Sequence, residues 1–274
     1  MSRDGSRTRR RLALLASSVF AAAFAAMLAA QLSLMSFLDT ARAESVADEV
    51  AASAFVTGLV DDAVRNAVAP VAGDEVAREV AAAASSDPRV RGVVRSALVS
   101  GHRQLVDPSA PRGTSPRQVD AVVSDVVGDL SAQFGVDLSG AAEQVRVPDA
   151  RPAQVPDVGL RDLALITRAV AALLAVVAAG ACVALHPRPA LGLAAIGARA
   201  AIVCGTWGVT LLVVGWVVGR VADTLFGELI EAIWSSAAPA VLGVVGAGVL
   251  LGVGTWLGGR AIDGLLGSPP PAHR

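Results

Sequence analysis

The sequence predicts an all-α integral membrane protein with four transmembrane helices and a helical insert between the first and second. Three observations predict it. The 274-residue chain is 54% hydrophobic and only 17% charged, with a mean hydropathy of +0.58, too apolar for an ordinary soluble domain. Four apolar runs are long enough to cross about 30 Å of hydrocarbon, which takes roughly 20 helical residues. Between the first and second run lies a much more polar stretch whose apolar positions recur at three- and four-residue steps.

Residues 1–11 form a basic tail, with Arg3, Arg7, Arg9, Arg10 and Arg11 against Asp4. The first span is Leu12 to Leu38. It is nearly twice as long as a signal-peptide core of about 7–15 residues, so it is expected to stay as an anchor. Ala41-Arg42-Ala43 supplies the competing cleavage pattern of small, any, small. No Gly or Pro lies between Leu12 and Thr57, which predicts a helix that continues past Ser45 as a projecting stalk.

Residues 39–162 read as a helical domain. Val46, Val50, Val56, Leu59, Val60, Val64 and Val68 mark one unit, ended by Pro70 and Gly73. A short helix over 74–84 follows. Asp87 then caps a helix with Pro88 at its first position, striped by Val90, Val93, Val94, Ala97, Leu98, Gly101 and Leu105. Ser115, Pro116 and Gln118 spell a capping box ahead of the apolar face Val119, Val122, Val123, Val126, Val127, Leu130 and Phe134. "DLSGAAEQV" adds a turn of helix, and the Pro-rich stretch 146–156 leads back to the membrane. The domain contains no Trp or Tyr and only Phe55 and Phe134 as aromatics. A core of small side chains buries little area per residue, so further support is expected from the membrane helices or a second copy.

The second span is 163–185, a loop and helix start covers 186–199, and the third span is 200–219. An amphipathic segment, 220–239, either extends the third helix or lies in the interface. The fourth span is 240–258 and a tail covers 259–274. Arginine placement sets the orientation. The basic N-terminus, Arg188 and Arg199, and Arg260 and Arg274 fall on one side of a four-span chain. That side is expected to be cytoplasmic, with both termini in and residues 39–162 and 220–239 outside. The insert's 12 arginines against 19 acids leave it net acidic.

Formal net charge is −1, which gives no global basic field for nucleic acid. The residues also favour no enzyme class. His102 falls on the opposite side from His186 and His273. Cys182 and Cys204 lie in apolar runs without metal-ligand spacing. No nucleophile triad, paired carboxylates, phosphate loop or zinc-helix motif is present. No catalytic, metal or cofactor-binding residue is therefore assigned, and no cofactor is expected. Two arginines lie inside apolar runs. Arg168 and Arg199 each sit near a span end, where a long side chain reaches the headgroups, and they are the candidate anion or lipid-headgroup ligands. Small-residue spacing is the strongest signal in the spans. Gly215 with Gly219, Gly248 with Gly252, and Gly254 with Gly258 each form a GxxxG that lets helix backbones approach.

"RTRRRLALL" before the first span, "SSDPRVRGVVRSALV" in the insert and "ALHPRPALGLAAIGARAA" between the second and third spans resemble four-span integral membrane proteins of high-GC Gram-positive bacteria. The resemblance implies the same layout and carries no activity or functional residue with it. The sequence thus predicts a non-enzymatic plasma-membrane protein of the cell envelope. Its expected contacts are the lipid bilayer and either a second copy or an envelope partner. A transporter, or a transporter subunit acting as an oligomer, is the alternative.

Overall fold

The computed structural model describes residues 3–111, 113–147, 159–221 and 225–267. Every element among them is helical: α1 Arg3–Ser36, α2 Thr40–Ala52, α3 Ala54–Ala72, α4 Asp74–Ser86, α5 Pro88–Val106, α6 Pro116–Phe134, α7 Ser139–Ala142, α8 Leu160–Leu185, α9 Pro189–Val221 and α10 Leu225–Gly267. By its internal contacts the chain forms two units. One comprises residues 1–36, 163–216 and 237–274; the other comprises 37–162 and 217–236.

In the unit built on the insert, α2, α3, α5 and α6 start where a side chain serves the orphan N–H groups of a first turn. Asp39 accepts from Ala41 N at 3.0 Å and from Arg42 N at 3.4 Å. Ser53 accepts from Val56 N. Asp87 accepts from Arg89 N at 2.7 Å, with Pro88 in the first helical turn. Ser115 and Gln118 make both halves of the capping box. Two glycines in the positive-φ region, Gly73 and Gly135, terminate α3 and α6, where a Cβ would be strained.

Two of these caps correct the sequence reading. The projecting stalk does not form, because α1 stops at Ser36 and Asp39 starts a new helix. The Ala41-Arg42-Ala43 stretch therefore lies in the first turn of α2. Likewise the unit expected over 41–68 is two helices, divided at Ser53. In both places a capping oxygen replaces the Gly or Pro that the reading required.

The core of this unit is made of small side chains. Val60, Val64 and Val68 of α3 meet Ala77, Val80, Ala81 and Ala84 of α4, and the cluster continues through Val90, Val123, Val126, Val127, Leu138 and Val145. Leu138 is the largest of the fully buried side chains. Helices that meet through Ala and Val can approach closely, so tight approach substitutes for bulk. Ser131 Oγ accepts from Leu138 N at 3.0 Å and the Asp120 carboxylate from Val147 N at 2.9 Å, which pins α7 and its exit onto α6. Arginines off the α5 stripe pair with neighbouring helices: Arg95 with Asp48, Arg103 with Glu44, and Arg89 with Asp129 at 2.7 Å.

The other unit is a bundle of α1, α8 and the parts of α9 and α10 that it contains. Four helical stretches are long and apolar enough to cross a membrane: Thr8–Ser36, Leu160–Leu185, Pro189–Arg220 and Ile233–Leu266. Large apolar side chains cover the bundle's outside, including Leu173, Val176, Ile202, Leu212, Leu250 and Leu251, the last two more than 70% exposed. An apolar exterior of this extent is stable against hydrocarbon rather than water, and it fits a multi-pass membrane protein. The described part of residues 220–239 is divided between two helices. After α9 ends at Val221, residues from Leu225 onward already belong to α10, so they lead the fourth long helix. Residues 222–224 lie outside the described residues, as do most of 146–156 and the tail from 268.

Candidate functional site

Two apolar clusters hold the bundle together. The first joins Phe20 and Ala23 of α1 with Ala175, Ala178 and Cys182 of α8 and Ile196 of α9. Phe20 and Phe24 stack at 5.6 Å within α1. The second joins Leu28 and Leu32 of α1 with Cys204 of α9 and Val241 and Val245 of α10. No residue of α8 enters the second cluster, and no α8 residue before Ala171 is buried. Near the 186–188 turn α8 and α9 touch closely: a Cβ on Gly192 would lie 3.0 Å from Val183 Cα and 3.1 Å from His186 Cβ. Toward the end that carries Ser36 and Leu163, α8 reaches α1 through Arg168 and Gln31.

Arg168 stands on the half of α8 before Ala171. Its Nη1 donates to Gln31 Oε1 of α1 at 3.0 Å, and both side chains are half-buried. Gln31, a neutral residue in the first run, gives no charge signal in the sequence. Arg199 is exposed on α9. It lies seven residues beyond Gly192, about 10 Å along the helix and back on the same face. Thr206 and Thr210 follow on that face, both exposed, with hydroxyls donating to Ile202 O and Thr206 O at 2.9 Å. The face of α9 that meets α8 at Gly192 therefore becomes an open stripe of Arg199, Thr206 and Thr210.

The glycines separate into two kinds. A Cβ on Gly248 would sit 2.5 Å from Cys204 Sγ, and one on Gly252 would sit 2.6 Å from Ala201 N. Cβ atoms on Gly254, Gly258 or Gly219 would meet nothing within 4 Å. Gly215 is half-buried. Three participants in the close approach were not singled out from the sequence. A Cβ on Gly197 would lie 2.5 Å from Trp256 N, one on Gly259 would lie 2.6 Å from Ala190 O, and one on Gly208 would lie 3.3 Å from Val245 Cγ1. α9 and α10 thus run antiparallel along a seam of Ala190, Ala194, Gly197, Ala201, Cys204 and Gly208. At the turn end, Arg188 pairs with Asp263 at 3.2 Å and Arg260 lies 5.0 Å over the Trp256 ring.

The remaining candidates are accounted for locally. Cys182 and Cys204 are free and buried in different clusters. His102 Nε2 lies 2.6 Å from Phe37 O, and His186 Nδ1 2.9 Å from Arg188 O; His273 is outside the described residues. Among the described residues, no three His, Cys, Asp or Glu side chains group as metal ligands. In the insert, the Arg89 side chain holds the Asp87 carboxyl below its ordinary range, and the hydroxyls of Ser109 and Ser139 do the same for Asp107 and Asp137. No family model, curated protein or solved structure matches the chain.

Proposed function

We propose that this chain is a non-enzymatic membrane protein of the cell envelope whose helical insert binds a protein partner outside the cytoplasm. One observation carries the reading: the insert is capped, ion-paired and built on its own core. Among its described residues, only Val71 and Leu160 are large exposed apolar side chains. A polar, self-supporting body held at a membrane by four apolar helices is suited to presenting a surface rather than to enclosing a reaction. Its net acidic charge favours a basic partner surface.

The test is photo-crosslinking in intact cells with the probe at exposed positions of α4 and α6, such as Glu79 and Asp125. One discrete protein adduct confined to one face is expected. Absence of adducts at every position, together with solute flux through the chain reconstituted in vesicles, would replace this reading with the transporter one. A specific observation favours that second reading: Arg168 of α8 donates to Gln31 of α1 inside the apolar stretches, and ionisable residues in spanning segments recur along substrate paths.

A further inference from the structure

We propose that the end of the bundle carrying the 186–188 turn binds anionic phospholipid headgroups, with Arg10, Arg11 and Arg260 as its phosphate ligands. The inference rests on the four apolar helices crossing a membrane, and recovery of the chain in the membrane fraction checks that premise separately. The helix contacts fix which ends meet. α1 and α8 run antiparallel, since Gln31 meets Arg168 while Phe20 and Ala23 meet Ala175, Ala178 and Cys182. α10 returns antiparallel to α9, with Gly259 against Ala190 and Gly248 against Cys204. The start of α1, the end of α8, the start of α9 and the end of α10 therefore share one end. Among the side chains described there, Arg9, Arg10, Arg11, Arg188 and Arg260 are all exposed. One acid, Asp263, accompanies them, and it is paired with Arg188 at 3.2 Å.

Each proposed ligand borders an exposed apolar surface. Arg10 and Arg11 stand one turn before Leu14 and Leu15 on the same side of α1, and all four are exposed. Arg260 stands one turn after Trp256 and the exposed Leu257, with its guanidinium 5.0 Å over the Trp256 ring. This step from apolar flank to guanidinium matches the step from acyl chain to phosphate at a bilayer edge, where aromatic rings and arginines collect. A guanidinium has five N–H donors in a planar fork suited to phosphate. A run of arginines beside a spanning helix is drawn to an anionic lipid surface. A nucleic acid would reach the arginines and leave the leucines uncovered. A second copy docked here would bring arginine to arginine.

Trp256 is the reporter in the experiment. Trp207, Trp216 and Trp234 are changed to Phe in the full chain, which is reconstituted in phosphatidylcholine vesicles. A rising fraction of phosphatidylglycerol or phosphatidylcholine with brominated acyl chains then quenches Trp256 as it takes neighbouring positions. Half-quenching is expected at about fivefold lower fraction of phosphatidylglycerol, the factor that one arginine near an anionic surface contributes. Arg260→Gln should remove most of that difference and Arg260→Lys should keep most of it. Arg168→Gln, toward the other end of the bundle, should leave it unchanged. Leu15→Trp in a chain without other tryptophans reads the α1 side, where Arg10→Gln with Arg11→Gln should remove the difference in the same way. Thermal midpoints report folding of each variant. Coincident curves for the two lipids before any arginine is changed, an undiminished difference in folded R260Q, or an equal loss in R168Q would each overturn the proposal. Loss of the difference when inorganic phosphate replaces chloride at fixed ionic strength would also overturn it, by assigning the arginines to a soluble anion.

Discussion

Asp39 and Asp87 have the same role, and only one announces itself. Asp87 is followed by Pro88, whose fixed φ and missing N–H suit a first helical turn, so the cap is legible from the sequence. Asp39 follows a long apolar run with no Gly or Pro near it, and its cap becomes visible only once the chain has turned. The same contrast separates Arg168 from Gln31: a charge in an apolar run draws attention, whereas its neutral partner on another helix is indistinguishable from a solvated polar residue. The Asp87 cap has a testable pH signature. Its carboxyl is held below the ordinary value of 3.8, chiefly by the Arg89 side chain. A lowered folded-state pKa gives stability that is complete above the unfolded value and lost as pH falls through the folded one. Stability of the insert should therefore decline below about pH 4, and Asp87→Asn, which keeps a capping oxygen, should flatten that decline. Helicity of the full chain in detergent, followed by circular dichroism from pH 6 to pH 2, reads it. Parallel declines in wild type and variant would assign the acid sensitivity elsewhere.

At the scale of helices, the α9–α10 seam shows why glycine spacing was only half readable. The sequence spells GxxxG twice in α10, at Gly248 with Gly252 and at Gly254 with Gly258. A helix pair packed along its length needs alternating steps of three and four, and Val245, Gly248, Gly252, Thr255 and Gly259 supply them. Gly254 and Gly258 fall on another face. The α9 half of the seam is half alanine, with Gly197 and Gly208 too isolated to form a motif, so it left no pattern to find. Replacing Gly248 and Gly252 with Leu should cost about 1–3 kcal/mol per site through overpacking, because backbone and the Cys204 sulfur occupy the space. Leu at Gly254 and Gly258 should be nearly neutral for the bundle. Thermal midpoints of the two double variants in one detergent decide the matter. Equal losses would mean that α10 is rotated relative to this seam.

For the molecule as a whole, the sequence disclosed the division of labour but not the neighbours. Apolar length marks each crossing helix by itself, whereas the choice of Leu28 and Leu32 to lie against Cys204, Val241 and Val245 depends on shapes that hydropathy does not register. The arginine distribution predicts which side each unit faces. With Cys182 and Cys204 replaced by Ala, a cysteine at Ser109 should react with a membrane-impermeant maleimide in intact cells, and one at Pro189 should not. The opposite pattern would invert the orientation. The second cluster also sets an order in time. Leu32 and Cys204 are separated by 172 positions in the chain, and at about 5–20 residues per second of synthesis α1 waits roughly ten to thirty seconds for α9. During that interval α1 can join α8 through Phe20 and Ala23 once α8 has been made, while Leu28 and Leu32 still face lipid. A chain truncated before α9 should therefore be caught half-assembled, with α1 docked on α8 at its Phe20 end and open at its Leu32 end.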